Sequence, residues 1–255
     1  MLIFRPSKRV VEGHCGASGL GEATVRALAA KGVKVAIFDM NEAKGEAVAK
    51  EIGGVFCKVN VADEASVDAG FEKARAAIGQ ERVLVNCAGI GPSMRILGKK
   101  GVHDLAFYAK VVQVNLVGSF NVLALASEEI AKTDADEDGQ RGVIINTASI
   151  AAYDGQVGQA AYSSSKGGIV GLTLPAARDL AQYGIRVCTI APGIVETPML
   201  ATVSEEFRAS LPAMEPARVT VTPTGVKGIN TKAMRPPASD ARFHGMNVMT
   251  IAPNQ

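Results

Sequence analysis

Short apolar runs alternate with longer amphipathic segments along the first three quarters of the chain. The runs are rich in β-branched residues and lack a polar alternation, which is typical of strands buried on both faces of a parallel sheet. We predict five such strands, at Val33–Asp39, Val55–Asn60, Arg82–Cys87, Val143–Thr147 and Ile185–Ile190.

The segment Glu64–Ile78 shows most clearly what separates the strands. Its apolar residues, among them Val67 and Phe71, recur at helical spacing. Asp63 is a suitable N-cap and Gly79 a suitable stop. The same pattern predicts helices at Gly21–Ala30, Asp104–Ala126 and Gln159–Tyr183, the last kinked by Pro175.

This order of strands and helices predicts an α/β fold. We expect a single doubly wound Rossmann-type domain over residues 1–255, with a central parallel sheet flanked by helices. In such folds, ligands bind beyond the carboxyl ends of the strands.

Three stretches depart from the pattern. Thr133–Arg141 is expected to be a charged surface loop, and Glu12 and Gly13 interrupt the apolar first strand that should precede the first helix. Residues 212–255 hold six of the eleven prolines, and only Asn247–Ile251 resembles a closing strand there.

Composition limits the classes of partner. The chain is 47% hydrophobic and 20% charged with a net charge of +2, so neither nucleic acid nor a membrane is expected as a partner. We find no uninterrupted apolar run of the roughly 18 residues that a membrane span needs. The four cysteines, Cys15, Cys57, Cys87 and Cys188, are scattered without metal-ligand spacing, so we expect reduced thiols and no metal.

The stretch VEGHCGASGLG, residues 11–21, has the features of a phosphate-binding turn. Gly16, Gly19 and Gly21, with Ser18 and Leu20 between them, lead directly into a predicted helix. A glycine-rich turn of this kind exposes backbone N–H groups and a helix N-terminus to a pyrophosphate.

Asp39 ends the next predicted strand, 18 residues after Gly21. An acidic side chain there accepts hydrogen bonds from ribose hydroxyls and repels a 2′-phosphate. No basic residue follows until Lys44, so the sequence predicts NAD rather than NADP as the cofactor.

The stretch AAYSSSKGG, residues 160–168, carries the candidate chemistry. Tyr162 and Lys166 are four residues apart and share one face of a helix. A phenol has an ordinary pKa of about 10, and a nearby ammonium together with an oxidised nicotinamide lowers it toward neutrality. Ser149, at the end of the preceding strand, can face the tyrosine.

Taken together, these motifs resemble the short-chain dehydrogenase/reductase family. The matching residues are Gly16, Gly19, Gly21, Asp39, Asn86-Cys87-Ala88-Gly89, Asn115, Ser149, Tyr162, Lys166 and Pro192-Gly193. Within the family, LVNCAGI, the long segment around AAYSSSKGG, and GIRVCTIAPGIVETPML are similar to the type II 3-hydroxyacyl-CoA dehydrogenases, a group also called 17β-hydroxysteroid dehydrogenase type 10.

The resemblance implies a role for each catalytic residue. Tyr162 is expected to be the general acid/base, and Ser149 to hold the substrate oxygen. Lys166 is expected to lower the pKa of the tyrosine and to bind the nicotinamide ribose. Asn115 is expected to position a water that relays the proton.

The resemblance also implies a cofactor site. Its further residues are Asn60, Val61, Asn86, Ala88, Gly89, Pro192, Gly193 and Thr197. Two departures from the family pattern concern this site: His14 and Cys15 replace the usual Thr-Gly, and Asn60 stands where an aspartate commonly contacts the adenine. We expect the loop to retain NAD with reduced affinity.

The expected reaction is hydride transfer between NAD and a 3-hydroxyacyl-CoA. Gln156 and Gln159 are candidate substrate contacts, and Arg95, Lys99 and Lys100 are candidate contacts to the phosphates of CoA. The family implies a homotetramer, and either a bacterial cytoplasm or a mitochondrial matrix fits the sequence.

Two alternatives remain open at this stage. The same chemistry would suit a hydroxysteroid, another secondary alcohol or a 3-oxoacyl carrier-protein thioester. A non-catalytic scaffold that binds partners is the second alternative, prompted by His14, Cys15 and the unusual tail.

Overall fold

A seven-stranded parallel sheet forms the centre of the molecule. The computed structural model describes residues 10–14, 16–99, 101–201 and 248–251. The strands are β1 (Val10–His14), β2 (Lys34–Asp39), β3 (Val55–Lys58), β4 (Glu81–Asn86), β5 (Leu97–Gly98), β6 (Gly101–Val102), β7 (Gly142–Thr147), β8 (Ile185–Pro192) and β9 (Val248–Ile251). The sheet has the order β3-β2-β1-β4-β7-β8-β9, while β5 and β6 form a separate antiparallel hairpin.

Helices cover both faces of this sheet. They are α1 (Gly19–Ala29), α2 (Glu42–Ile52), α3 (Glu64–Ile78), α4 (Leu105–Val112), α5 (Gly118–Ala131), α6 (Ala160–Ala181) and α7 (Pro198–Ala201). One buried cluster joins Phe38 of β2 to Phe71 of α3 and to Ile130 of α5, and a second joins Val25 of α1 to Ile37 of β2. The doubly wound architecture that the sequence predicts is confirmed.

The direction of winding reverses between β1 and β4. The chain builds outward from β1 to β3, returns to β4 beside β1, and then builds outward in the opposite direction. A crevice forms at the carboxyl ends of the strands where such a reversal occurs, and this crevice is where doubly wound proteins bind ligands.

Strand β1 corrects one expectation. Glu12 and Gly13 do not interrupt it, and the strand pairs with β2 from Val10↔Lys34 to His14↔Phe38. It also pairs with β4, with an irregularity between Val10 and Val11. Because β1 is central, backbone hydrogen bonds on both sides hold it in place, and those bonds do not require apolar side chains.

The other predicted elements agree with the structure to within a few residues, and several elements were missed, among them the short helix α7. The predicted closing strand forms at Val248–Ile251, parallel to β8. Helix α2 was missed although it has clear ends: Asn41 caps it by accepting from the Lys44 N–H at 3.1 Å, and Gly53 ends it with a φ of 68°. The hairpin of β5 and β6 was also missed. Cys15, Lys100 and the tail from residue 202 to 247 lie outside the described residues.

The predicted helix Asp104–Ala126 is longer than expected and is interrupted. A π-helical turn at Gln113–Val117 separates α4 from α5. By length and composition the span Leu105–Ala131 could cross a membrane, which the sequence analysis did not find. However, Val122 and Ala126 of α5 are fully buried in the core beside the sheet, as is usual for a core helix of a globular domain.

Helix α6 crosses the sheet as one continuous element. Pro175, where we expected a kink, lies inside it, and the helix continues to Ala181. The charged segment Thr133–Arg141 connects α5 to β7, and its turn is held by Asp136, whose carboxylate accepts from the N–H groups of Asp138 and Gln140. This segment is the surface loop that the sequence predicts.

Candidate active site

The predicted catalytic residues converge beyond the carboxyl end of β7. Ser149 follows β7 by two residues, Tyr162 and Lys166 lie on the first turns of α6, and Asn115 lies in the π-helical turn. Three separate elements therefore deliver these four side chains to one place. The sequence predicted the residues but could not show that they meet.

Ser149 and Tyr162 are the two hydroxyl groups that the sequence predicts to react, and the structure pairs them. Ser149 has extended backbone angles and begins a short 3-10 helix at Ile150–Ala152, where its Oγ accepts from the Ala151 N–H at 3.2 Å. Burial raises the pKa of Tyr162, and a hydrogen bond with Ser149 acts in the opposite direction. Burial is the larger of the two effects, so the pKa of the phenol lies above its usual range, and nearby positive charge favours the tyrosinate.

Lys166 supplies positive charge from a buried position. Its side chain is only 3% exposed, and its Nζ donates a hydrogen bond of 2.7 Å to the carbonyl oxygen of Thr147, the last residue of β7. The same Nζ lies 5.8 Å from the centre of the Tyr162 ring. The ammonium is thus fixed beside the phenol by the end of a core strand.

Asn115 is buried, and all polar atoms of its amide are hydrogen-bonded. Its Oδ1 accepts from the N–H of Ile90 at 2.8 Å, and its Nδ2 donates to the carbonyl of Ile90 and to Ser165, each at 2.9 Å. Asn115 therefore connects the loop after β4 with helix α6. A π-helical turn within an α-helix is frequently found at functional sites.

The glycine-rich turn that the sequence predicts to bind phosphate leads directly into helix α1. Helix α1 begins at Gly19, two residues earlier than expected, and its N-cap Ser18 makes no side-chain capping hydrogen bond. Gly19 has a φ of +55°, a conformation that favours glycine. The first-turn N–H groups of α1 are therefore available to a ligand. Gly16 and Gly21 are buried on either side of this turn.

Asp39 connects the end of β2 with this turn. Its Oδ2 accepts from the N–H of Ala17 at 3.2 Å and its Oδ1 from the N–H of Asn41 at 2.9 Å. The carboxylate is thereby fixed next to the phosphate-binding turn, and each oxygen has a further lone pair for a ribose hydroxyl. Binding of a ribose by Asp39 stays a prediction.

The loops after β3 and β4 carry the predicted adenosine contacts. Asn60 is exposed, and its Oδ1 accepts from the Ala62 N–H at 3.1 Å. Val61 is buried, and its carbonyl accepts from Asn121 at 3.0 Å. Asn86, by contrast, donates its amide N–H to Asn146 at 2.9 Å inside the protein. Its side chain therefore joins β4 to β7, a structural role that the sequence analysis did not predict.

Gly89 lies where these loops meet the catalytic residues, and Ala88 beside it is buried. A Cβ atom at position 89 would lie 3.3 Å from Oδ1 of Asn115 and 3.5 Å from Nζ of Lys166. The space next to the ammonium is therefore kept open by a glycine. This is a cradle that a side chain would fill, and it suits the close approach of a cofactor ribose.

The segment after β8 closes the opposite side of the site. Pro192 ends β8 and Gly193 follows it, and Thr197 lies within 3.5 Å of a Cβ placed at Gly19. Met199 was not predicted. Its Sδ would lie 3.3 Å from a Cβ atom placed at Gly91. The Tyr162 ring would lie 3.4 Å from the same Cβ position.

A groove of about 620 Å³ is lined by sequence neighbours of Ser149 and Tyr162, such as Ala151 and Ser163. One wall is the hairpin segment Arg95–Leu97, and the other is the segment between the short 3-10 helix and α6. Gln156 and Gln159 both line it, and the Gln156 N–H donates to Gln159 Oε1 at 2.9 Å. Arg95 lines the groove, Lys99 is exposed on the hairpin, and Lys100 is outside the described residues.

The cysteines are free thiols in the part of the chain that is described. Cys57 is buried, and burial raises the pKa of both Cys87 and Cys188. No group of three or more potential metal ligands occurs among the described residues. Cys15 lies outside the described residues.

The fold and this set of residues define the class of the protein: a doubly wound dinucleotide-binding oxidoreductase with a Ser-Tyr-Lys site. A sequence model of the short chain dehydrogenase family matches residues 11–207. The chain belongs to this family. Its reactions use a nicotinamide cofactor, and the glycine cradle at Gly89, the turn at Gly19 and the carboxylate of Asp39 fit such a cofactor.

Individual relatives are similar over most of their length. The chain is 48% identical to 3-hydroxyacyl-CoA dehydrogenase type-2 of Rattus norvegicus over 79% of this chain and 78% of the relative. It is 50% identical to the Homo sapiens protein of the same name over 75% of each. The crystal structure of 3-hydroxyacyl-CoA dehydrogenase type-2 from Mycobacterium avium matches with a TM-score of 0.72 and 44% identity, covering 80% of both chains.

Proposed function

We propose that this protein interconverts 3-hydroxyacyl-CoA and 3-oxoacyl-CoA with NAD as the cofactor. The observation that carries the proposal is the pairing of the Ser149 and Tyr162 hydroxyls beside the buried ammonium of Lys166. The names of the relatives at 48% and 50% identity support the choice of substrate.

The catalytic side chains each have a task in the oxidation. The hydroxyl of Ser149 holds the substrate oxygen through a hydrogen bond, while the Tyr162 oxygen takes the proton from the substrate hydroxyl. Lys166 stabilises the tyrosinate that makes this transfer possible. When bound, the nicotinamide supplies the acceptor for the hydride that leaves the substrate carbon. In the reverse direction Tyr162 returns the proton to the carbonyl oxygen.

The environment of Asp39 supports NAD over NADP. Its carboxylate is fixed by two backbone N–H groups next to the phosphate-binding turn, so it cannot readily turn away from a ligand. A 2′-phosphate would place a second negative charge beside it, which is unfavourable. Lys44 is exposed, and its N–H, rather than its ammonium, takes part in the cap of α2.

The groove supports a thioester substrate. It is lined by Ala151 and Ala152, which follow Ser149 in the sequence, and by Ser163, which follows Tyr162. The guanidinium of Arg95 at the rim suits the phosphates of CoA. A hydroxysteroid is the second candidate, because Leu97 and Val157 give the groove exposed apolar walls that would accept a rigid ring system.

An assay of NAD⁺ reduction separates these substrates. We expect 3-hydroxybutyryl-CoA to be oxidised with a higher kcat/KM than a hydroxysteroid, and NAD⁺ to be preferred over NADP⁺. If the protein oxidises the hydroxysteroid and not 3-hydroxybutyryl-CoA, its function is hydroxysteroid oxidation. Absence of turnover with both, together with no NADH binding in calorimetric titration at millimolar cofactor, would favour the non-catalytic scaffold.

The CoA contact has its own test. Arg95→Ala should raise KM for 3-hydroxybutyryl-CoA more than KM for a truncated thioester that lacks the nucleotide. Lys73→Ala, which removes an exposed charge from α3, is the matched control and should change neither. Equal increases in KM for both substrates would show that Arg95 does not contact the phosphates of CoA.

We also propose a homotetramer, as the family resemblance implies. Phe120 and Val117 in the α4–α5 span are 52% and 40% exposed, and such apolar surface supports burial by another subunit. Light scattering coupled to size-exclusion chromatography measures the assembly, and a monomeric mass would contradict it.

A further inference from the structure

Ser165 is a buried hydroxyl between the two functional residues of α6. It follows Tyr162 by three residues, directly precedes Lys166 and is 0% exposed. Its Oγ donates a hydrogen bond of 2.7 Å to the carbonyl of Tyr162 and accepts one of 2.9 Å from Nδ2 of Asn115. This hydroxyl touches none of the atoms that react.

The directions of these hydrogen bonds follow from the amide of Asn115. Its oxygen accepts from the N–H of Ile90, and its nitrogen donates to the carbonyl of Ile90. In the flipped orientation, Nδ2 would face the N–H of Ile90, donor against donor, and Oδ1 would face the carbonyl of Ile90, acceptor against acceptor. The orientation of the amide is therefore fixed. The second N–H of Asn115 therefore points at Ser165, and the single proton of Ser165 is left for the Tyr162 carbonyl.

The result is one unbroken chain of hydrogen bonds through three elements. It runs from the loop after β4, through the π-helical turn, to the first turn of α6. The empty space at Gly89 borders both Oδ1 of Asn115 and Nζ of Lys166, so a shift of the Asn115 amide changes the room available to the ammonium.

We propose that Ser165 is a positioning residue that fixes helix α6 against Asn115, so that Tyr162 and Lys166 face the cofactor with their hydroxyl and ammonium correctly aligned. The inference rests on the proposed dehydrogenase function and adds a residue to it. Without the hydroxyl, one N–H of Asn115 is buried without an acceptor, and the amide must move or the helix must shift to satisfy it.

Ser165→Ala removes the link, and Ser164→Ala is its matched control. The neighbouring Ser164 makes the same kind of hydrogen bond to its own helix, donating to the Ala160 carbonyl at 2.7 Å, but it is exposed and does not contact Asn115. We expect kcat of Ser165→Ala to fall by at least about tenfold, since small displacements of catalytic groups have effects of this size. KM for NAD⁺ should change much less, and Ser164→Ala should behave as the wild type.

A pH profile distinguishes positioning from a loss of stability. Oxidation requires tyrosinate, so kcat rises with pH through the apparent pKa of Tyr162. If Ser165→Ala displaces the ammonium of Lys166, less positive charge offsets the effect of burial on Tyr162. The pKa of Tyr162 then rises, and the rise of kcat moves to higher pH. A variant that is merely less stable keeps the position of the rise. An unchanged profile together with an unchanged kcat would overturn the proposal.

Two further measurements keep the test decisive. Ser165→Cys fills the same space with a weaker hydrogen-bonding group. Its kcat should lie below that of the wild type, and it carries the test if Ser165→Ala fails to fold. If the wild type and Ser164→Ala do not oxidise 3-hydroxybutyryl-CoA, the proposed function fails. The Ser165 proposal is then tested by ultraviolet titration of Tyr162 in the NAD⁺ complex, with Tyr162→Phe as the blank, and an unshifted titration in Ser165→Ala would contradict it.

Discussion

The proposed cofactor side and the proposed catalytic side of the site are built from different parts of the chain. On the cofactor side, the turn at Gly19, the carboxylate of Asp39 and the loop at Gly89 offer backbone N–H groups, one charge and open space. On the catalytic side, Lys166 and Asn115 are buried side chains with hydrogen bonds to the protein itself.

This difference determines what a substitution should change. Groups on the cofactor side contact a ligand in the same way before and after reaction, so their loss mainly weakens binding. Groups on the catalytic side act on charge that develops during reaction, so their loss mainly lowers kcat. Four substitutions, from the largest expected effect to the smallest, test this division.

Tyr162→Phe should have the largest effect. Removal of a general acid/base lowers the rate by about 10²–10⁴-fold. Steady-state oxidation of 3-hydroxybutyryl-CoA measures the loss, and fluorescence titration with NADH should show binding close to that of the wild type. Retained turnover would show that the phenol is not the proton acceptor and would invalidate the assignment of the site.

Ser149→Ala should lower kcat by about 10²–10³-fold, because one donor to the substrate oxygen is lost. The hydrogen bond of Ser149 lowers the pKa of Tyr162, while burial raises it. Without Ser149 the pKa rises, so the rise of kcat with pH should move to higher pH. Ser164→Ala serves as the control, and a shift to lower pH would contradict the direction of this argument.

Gly19→Ala should weaken NAD⁺ binding by about tenfold. The φ of +55° costs an alanine roughly 1–2 kcal/mol, and the turn must distort where phosphate would bind. Gly32→Ala is the matched control, because Gly32 has a φ of +76° with nothing within 4 Å of its Cβ position. Both variants should lose stability in thermal unfolding, but only Gly19→Ala should lose cofactor affinity in calorimetry. Equal affinities would place the cofactor elsewhere.

Asp39→Asn should change selectivity more than turnover. The amide removes the charge and keeps one of the two acceptor oxygens for the backbone N–H groups, so the preference for NAD⁺ over NADP⁺ in kcat/KM should fall by several-fold to about tenfold. Asp68→Asn removes an exposed charge on α3 and should leave the ratio unchanged. A ratio that stays at the wild-type value would mean that Asp39 does not face the ribose.

Local patterns in the sequence were sufficient for most of the fold. Continuous β-branched runs require burial on both faces, and the repeated strand–helix order then leaves few arrangements. β1 was missed because Glu12 and Gly13 obscure its pattern, while its stability comes from two neighbouring strands that lie far away in sequence. Helix α2 was missed because little of its surface is apolar, although Asn41 and Gly53 marked its ends.

The sequence by itself was enough to predict which residues carry the chemistry, because Ser149, Tyr162, Lys166 and Asp39 are recognisable by type and spacing. Only the tertiary structure decided how they are held. The carbonyl of Thr147 fixes Lys166, and Ser165 connects Asn115 to Tyr162. These contacts join residues from strands, turns and helices that are distant along the chain, and a hydrogen bond depends on position and direction in space, which no local pattern contains.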